Sequence, residues 1–193
     1  FAYRIDSAGL NTPPIVSNIG VKHGGSLSKA AGYLKASPDG KKLALAIQSN
    51  VGVVEILKFD DSSGVVSDAN TITSIKDPYG IEFSPDGTKL YVTSRSYGEI
   101  YQFFLLAGTK ADIRASKIQI GNSGSQVGAM QIAIDAKIYV ARTSGYLGVI
   151  RNPNAYGAAS KYKDNGVYLA GRKSKYGLPT FNQSYFFNPE FQY

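Results

Sequence analysis

The only histidine of the chain, His23, stands in the run His23-Gly24-Gly25-Ser26. Histidine titrates near neutral pH and suits general acid–base work, and His-Gly-Gly runs supply oxyanion-stabilising backbone in some hydrolases. Such a machine also needs a nucleophile. No Gly-x-Ser-x-Gly elbow occurs in the 193 residues, so the triad reading fails and His23 reads as a loop residue beside turn glycines. Asp60-Asp61-Ser62-Ser63-Gly64 carries oxygens of the kind Ca²⁺ takes, but not the ligand spacing or closing glutamate of an EF-hand loop. It reads as a polar turn, as does Asp164-Asn165-Gly166. With no cysteine there is neither a thiolate metal site nor a disulfide. A phosphate-cradling glycine loop and a dinucleotide fingerprint are both missing from the sequence. No cofactor, no metal and no catalytic residue is expected.

Binding chemistry is better represented. The chain has 14 Tyr and 9 Phe, and aromatic side chains anchor interfaces. Tyr97, Tyr146, Tyr156 and Tyr162 fall in loop-like positions and are the candidates for contacting a protein or glycan partner. The competing role for each is packing between strands. A net charge of +7 and a pI near 9.4 raise the question of nucleic acid. The basic residues are scattered, however. The densest group is Lys161, Lys163, Arg172, Lys173 and Lys175, with Asp164 among them. Lysines on strand edges and loops serve solubility and block edge pairing, so nucleic acid is not expected as a partner.

The elements that position these residues come from a repeat. Gly32-Tyr-Leu-Lys-Ala-Ser-Pro-Asp-Gly-Lys-Lys-Leu-Ala-Leu-Ala46 aligns with Gly80-Ile-Glu-Phe-Ser-Pro-Asp-Gly-Thr-Lys-Leu-Tyr-Val-Thr93, and the two Ser-Pro-Asp-Gly turns lie 47 residues apart. A degraded third copy is Met130-Gln-Ile-Ala-Ile-Asp-Ala-Lys-Ile-Tyr-Val-Ala141, its Asp135 lying 49 residues after Asp86. Tyr176-Gly-Leu-Pro179 resembles Tyr79-Gly-Ile-Glu82 and opens a fourth. In the turns Ser37-Pro38-Asp39-Gly40 and Ser84-Pro85-Asp86-Gly87, Pro fixes φ, Asp or Ser bonds a nearby N–H, and Gly takes the left-handed conformation that returns the chain. Each turn forces a hairpin, and each copy then supplies two further strand-like runs: Val53–Phe59 and Thr71–Ile75, Ile100–Leu106 and Ser116–Ile120, Leu147–Arg151 and Gly166–Leu169. Residues 1–31 hold only the later pair, Phe1–Ile5 and Ile15–Ile19.

Four short strands per unit of about 48 residues predict an all-β chain of β-propeller blades. The predicted divisions are the end of one blade at 1–31, blades at 32–78, 79–127 and 128–175, and the start of another at 176–193. Leu43-Ala-Leu-Ala-Ile47 and Leu90-Tyr-Val92 are apolar on both faces, as inner strands between neighbouring blades must be. A two-sheet sandwich is the rival architecture. Rings close with about four to eight blades, so the chain is expected to be a partial ring of a longer polypeptide, with four-bladed closure through Phe1–Ile5 as the alternative. At 43% hydrophobic and 18% charged residues it is a folding sequence, and no apolar run is long enough to span a bilayer.

The motif series, with Ile100-Tyr-Gln-Phe, Leu147-Gly-Val-Ile-Arg-Asn-Pro-Asn and Gly177-Leu-Pro-Thr-Phe-Asn-Gln-Ser-Tyr-Phe, resembles the WD40-like propeller region of large Bacteroidetes surface and secreted proteins. Such proteins often carry PKD-like modules and a type IX secretion signal, and some are gliding-motility-associated. The third copy departs in its Ile-Asp-Ala, and Ser160 stands where a Cys is frequent. The resemblance implies an exported, cell-surface or outer-membrane-associated protein, with a protein or glycan partner or outer-membrane secretion components as contacts. It brings no catalytic residues. Asp6-Ser7-Ala8 resembles the short O-glycosylation motif of exported Bacteroidetes proteins, making Ser7 a candidate glycan site, whereas the Asn182-Gln-Ser184 triplet has little meaning in a bacterium. The expected function is thus a non-catalytic binding module. A structural or cargo role in a secretion or motility assembly is the first alternative. A propeller lactonase-like hydrolase is the second, since such enzymes carry similar Ser-Pro-Asp-Gly-x-x-Leu-Tyr-Val repeats.

Overall fold

A computed structural model of the chain describes residues 1–49 and 52–181. The Asn182-Gln-Ser184 triplet and the later part of the 176–193 segment lie outside the described residues. Three four-stranded antiparallel sheets follow one another along the chain, each a meander in sequence order. The first holds β3 (Leu34–Ala36), β4 (Lys42–Ile47), β5 (Val53–Asp60) and β6 (Val65–Ile72). The second holds β7 (Pro78–Phe83), β8 (Lys89–Ser94), β9 (Glu99–Phe104) and β10 (Ile118–Asn122). The third holds β11 (Val127–Ile132), β12 (Ile138–Arg142), β13 (Tyr146–Ile150) and β14 (Tyr162–Tyr168). These are the blades of a β-propeller, with β3, β7 and β11 as inner strands.

Turn chemistry starts each blade as the sequence dictates. Gly40 N–H donates to Ser37 O and Gly87 N–H to Ser84 O, both at 2.9 Å. The hydroxyls of Ser37 and Ser84 take the N–H of Lys42 and Lys89, at 2.9 and 2.8 Å. Gly40 and Gly87 sit at φ 68° and 67°. In the third blade Ala136 occupies the same left-handed place at φ 59°, its N–H reaching Ala133 O at 2.9 Å.

Packing is between blades. Ala44, Val54, Ile56 and Ile72 of the first blade meet Ile81, Phe83, Leu90 and Val92 of the second in one core. Tyr91 and Ile100 meet Val127, Met130, Ile132 and Ile138 in the next. Strand β8 explains why Leu90-Tyr91-Val92 is apolar on both faces: Leu90 and Val92 face one neighbour and Tyr91 the other, and all six residues of the strand are buried. Polar ties hold the second and third blades in register. The Thr93 hydroxyl takes the Gly80 N–H and donates to Gly128 O, both at 2.8 Å. Tyr91 OH donates to Pro153 O at 2.7 Å, and the Gln102 amide spans Tyr91 OH, Ala155 O and Gly157 N–H. A two-sheet sandwich is thereby replaced by three sheets in angular succession.

Some elements differ from expectation. Residues 1–31 contain only the two-residue strands β1 (Ile5–Asp6) and β2 (Gly9–Leu10), a single bridge from Ala2 to Ile15, and a short 3-10 turn. Ile5 is 76% exposed, so this segment buries too little apolar surface to extend its two-stranded ribbon into a blade. A short helix, α1 (Lys110–Ala115), precedes β10, started by a Thr109–Asp112 capping box. Asp164-Asn165-Gly166 lies within β14 rather than in a turn, at a register shift opposite Leu147 and Val149. Arg142 holds both polar side chains there, at 2.6 Å from Asp164 and 2.7 Å from Asn165 Oδ1.

Candidate functional site

Connections in such a meander alternate between two ends. The Ser-Pro-Asp-Gly turns mark one end. The other carries the links between blades and the β4–β5, β8–β9 and β12–β13 turns. At this second end three tyrosines from different copies stand in a row. Tyr33 and Tyr79 have ring centroids 5.6 Å apart, and Tyr79 and Tyr176 6.3 Å apart, each pair edge to face. Main-chain bonds fix the row: Tyr33 N–H donates to Tyr79 O at 3.0 Å, and Ala129 N–H to Tyr176 O at 2.7 Å. Tyr176 OH donates to Gln126 Oε1. Desolvation pushes the Tyr79 phenol above its ordinary value, so it remains a hydroxyl donor at neutral pH.

Arg95 lies over this row. Its guanidinium carbon is 5.7 Å from the Tyr79 ring centroid and 5.1 Å from that of Tyr176, within cation–π range of both. Its backbone bridges two inter-blade links, the N–H donating to Asp77 O at 2.9 Å and the carbonyl accepting from Val127 N–H at 3.1 Å. Asp77 Oδ2 is 3.7 Å from Arg95 Nε, an ion pair beyond hydrogen-bond range, and that oxygen accepts from Ser96 through its N–H at 2.9 Å and its hydroxyl. Arg95 Nε is left buried without a hydrogen-bond partner. The side chain stays 29% exposed, and no described residue bonds its terminal nitrogens.

A second polar cluster sits inside. Lys35, Glu82 and Gln131, each two residues before a hairpin turn, occupy the same place in β3, β7 and β11. Lys35 Nζ is 3.1 Å from Glu82 Oε2 and donates to Gln131 Oε1 at 2.6 Å. Ile132 and Phe83 N–H groups donate to the two Glu82 oxygens, at 3.0 and 3.1 Å. Burial pushes the Glu82 carboxyl up to about 7, against the pull of Lys35 and those N–H groups. A carboxyl near neutrality suits proton transfer, but Glu82 is wholly buried and its oxygens are taken. The cluster joins the three inner strands; it is not open to a substrate.

The residues singled out from sequence do not assemble. Tyr97, 53% exposed, belongs to the β8–β9 turn with Lys76 Nζ 5.8 Å over its ring. Tyr156, 51% exposed, sits near the opposite end, edge to face on Phe104. Tyr146 and Tyr162 are strand residues, contrary to the loop positions expected. Tyr146 starts β13 and pairs with Tyr168 at 5.1 Å. Tyr162 is sheltered between blades, where a Cβ on Gly121 would lie 2.2 Å from its ring, so it serves packing. His23 bonds Val21 O through Nδ1. Both carboxylate oxygens of Asp60 accept from Ser62 and Ser63, which holds its carboxyl down at about 2 as a turn-builder. Ser7 is exposed in the turn between β1 and β2.

Among the described residues no three of His, Cys, Asp and Glu come close enough together to hold a metal ion. No described helix is long and apolar enough to cross a membrane. A cleft of about 610 Å³ lies between the N-terminal segment and the β5–β6 turn. Its polar groups are engaged: Asn11 Nδ2 donates to Asp6 at 2.9 Å, and Asp61 is paired with Lys41.

Sequence reasoning missed Tyr33, Tyr79, Tyr176 and Arg95. The repeated Tyr-Gly at 79–80 and 176–177 was the available signal.

Comparison with known proteins adds to the fold. No family model and no curated protein matches the chain. Among solved structures, a functionally unknown protein from Desulfotomaculum acetoxidans is similar at 19% identity and TM-score 0.54, over 91% of this chain and 51% of that one. The periplasmic gluconolactonase of Pseudomonas aeruginosa is similar at 20% identity and TM-score 0.50, over 78% and 45%. The pyranose dehydrogenase PQQ domain of Coprinopsis cinerea is similar at 9% identity and TM-score 0.53, over 75% and 39%. The chain thus spans about half or less of the structures it matches. At these identities what is shared is the β-propeller architecture.

Proposed function

We propose that this chain is a non-catalytic binding module of an exported bacterial cell-surface protein, presenting loop residues of a rigid propeller to a protein or glycan partner. The observation that carries it is Arg95, whose guanidinium is held over Tyr79 and Tyr176 with its terminal nitrogens turned to no described residue. A cation fixed on aromatic rings and pinned through its own backbone is preorganised for a ligand. The motif resemblance to Bacteroidetes surface proteins supports the exported setting. Partner capture on a glycan and surface-protein panel tests the reading. Wild-type protein should bind and Arg95→Gln should bind at least about tenfold less; equal binding by both would sink it.

A lactone hydrolase is the second reading, prompted by the fold shared with a gluconolactonase. Opposing it, Glu82, the carboxyl among the described residues that full burial pushes toward neutrality, is enclosed. Gluconolactone hydrolysis above background by the purified protein would revive it. A structural or cargo role in a secretion or motility assembly predicts instead that deleting these blades disrupts that assembly.

A further inference from the structure

One end of the blades carries a local excess of positive charge. The links 73–77, 95–98, 123–126, 143–145 and 169–177 carry Lys76, Arg95, Arg172, Lys173 and Lys175, against Asp77 alone, whose carboxylate lies 3.7 Å from Arg95 Nε and leaves the terminal nitrogens of that guanidinium unbonded by any described residue. The opposite end mixes both signs: its acids stand beside lysines, with Asp39 paired to Lys42, Asp61 to Lys41 and Asp135 to Lys137. An anion at the Arg95 end meets that local excess of positive charge. The groups waiting there are specific: a planar guanidinium fork, which matches a carboxylate with two parallel hydrogen bonds, and the hydroxyls of Tyr33 and Tyr79, which bond no other described residue. Tyr97, in the same turn as Arg95, adds an exposed ring. A single fork among tyrosines lacks the helix N-terminus or nest of N–H groups that phosphate favours.

We propose that this end binds a carboxylate-bearing sugar, a uronate of an acidic glycan, with Arg95 taking the carboxylate and the Tyr33 and Tyr79 hydroxyls taking sugar oxygens. The proposal rests on the binding-module reading and names its ligand class.

Calorimetry of the purified protein against an oligogalacturonate, and against the same oligosaccharide with its carboxyls reduced to alcohols, tests it. The acidic form should bind at least about tenfold tighter, as loss of a charge-assisted pair requires. Arg95→Gln should abolish that advantage with an unchanged thermal melt. Lys163→Gln, which removes an exposed like charge near the start of β14 at the opposite end, should keep it. Because the comparison of two sugars is made on the wild-type protein, it stands even if Arg95→Gln folds poorly. Equal binding of the two sugars, binding of neither, or an advantage that survives Arg95→Gln would overturn the proposal. So would equally tight binding of inorganic phosphate or of a polyglutamate peptide. Capture of the neutral sugar or the peptide at this end would leave the binding-module reading standing. Gluconolactone turnover with no sugar bound would remove both.

Discussion

Lys35 and Glu82 form an ion pair 3% and 0% exposed, 3.1 Å apart. Such a pair is costly to break, because removing one partner strands a buried charge. Lys35→Met should cost about 3–5 kcal/mol in urea unfolding near pH 8, whereas Lys35→Met with Glu82→Leu should recover much of it. Additive losses would show that the pair is not coupled. The pH dependence has a definite sign. Burial raises Glu82 from its model-compound value of 4.5 to about 7, so between those values the folded chain holds a proton the unfolded chain has released. Its contribution to stability is full below 4.5 and is lost as pH rises through about 7. Glu82→Gln should flatten that stretch of the stability curve; an unchanged slope would contradict the assignment. A polar residue at one repeat position in three apolar strands was readable in sequence. That the three touch was not, since adjacency of β3, β7 and β11 belongs to the ring.

Among the elements, the hairpin turns were the most legible, because Pro, Asp and Gly each act locally and need no tertiary partner. The third copy shows the cost of departing from that chemistry. Ala136 holds φ 59° where Gly40 and Gly87 hold similar angles, and a Cβ there costs about 1–2 kcal/mol. Ala136→Gly should stabilise the chain by about 1 kcal/mol in thermal or urea melts, less the added freedom of the unfolded chain; destabilisation would mean the turn is held from outside. Close approach of inner strands makes a second demand. A Cβ at Gly80 would lie 2.2 Å from Gly128 O, so Gly80→Ala should part β7 from β11 and cost at least about 1–3 kcal/mol. Helix α1 was overlooked because six residues show little periodicity, although its Thr-x-x-Asp cap stood in the sequence. The N-terminal strands were overcalled for the opposite reason: alternating apolar residues are present, but Ile5, Ile15 and Ile19 stay exposed even though Ser17 and Val21 bond Val66 and Glu55 of the first blade.

At the scale of the molecule, the propeller fold and the two-faced burial of Leu90-Tyr91-Val92 in β8 followed from the repeat, while the site did not. Tyr33, Tyr79 and Tyr176 lie up to 143 residues apart in sequence, and Arg95 reaches two of them from a turn. Only stacking of copies side by side brings them together. The same stacking gathers Lys76, Arg95, Arg172, Lys173 and Lys175 into the links of one end. Binding at the Arg95 end should therefore weaken as salt rises, as exposed charges are screened beyond about 8–10 Å. Salt-independent affinity would point to apolar contacts instead. The most direct test is hydrogen–deuterium exchange with and without saturating oligogalacturonate. Slowed exchange confined to 95–98, 123–127 and the links beside them is the result predicted here. Protection at the Ser-Pro-Asp-Gly turns, or none anywhere, would contradict it.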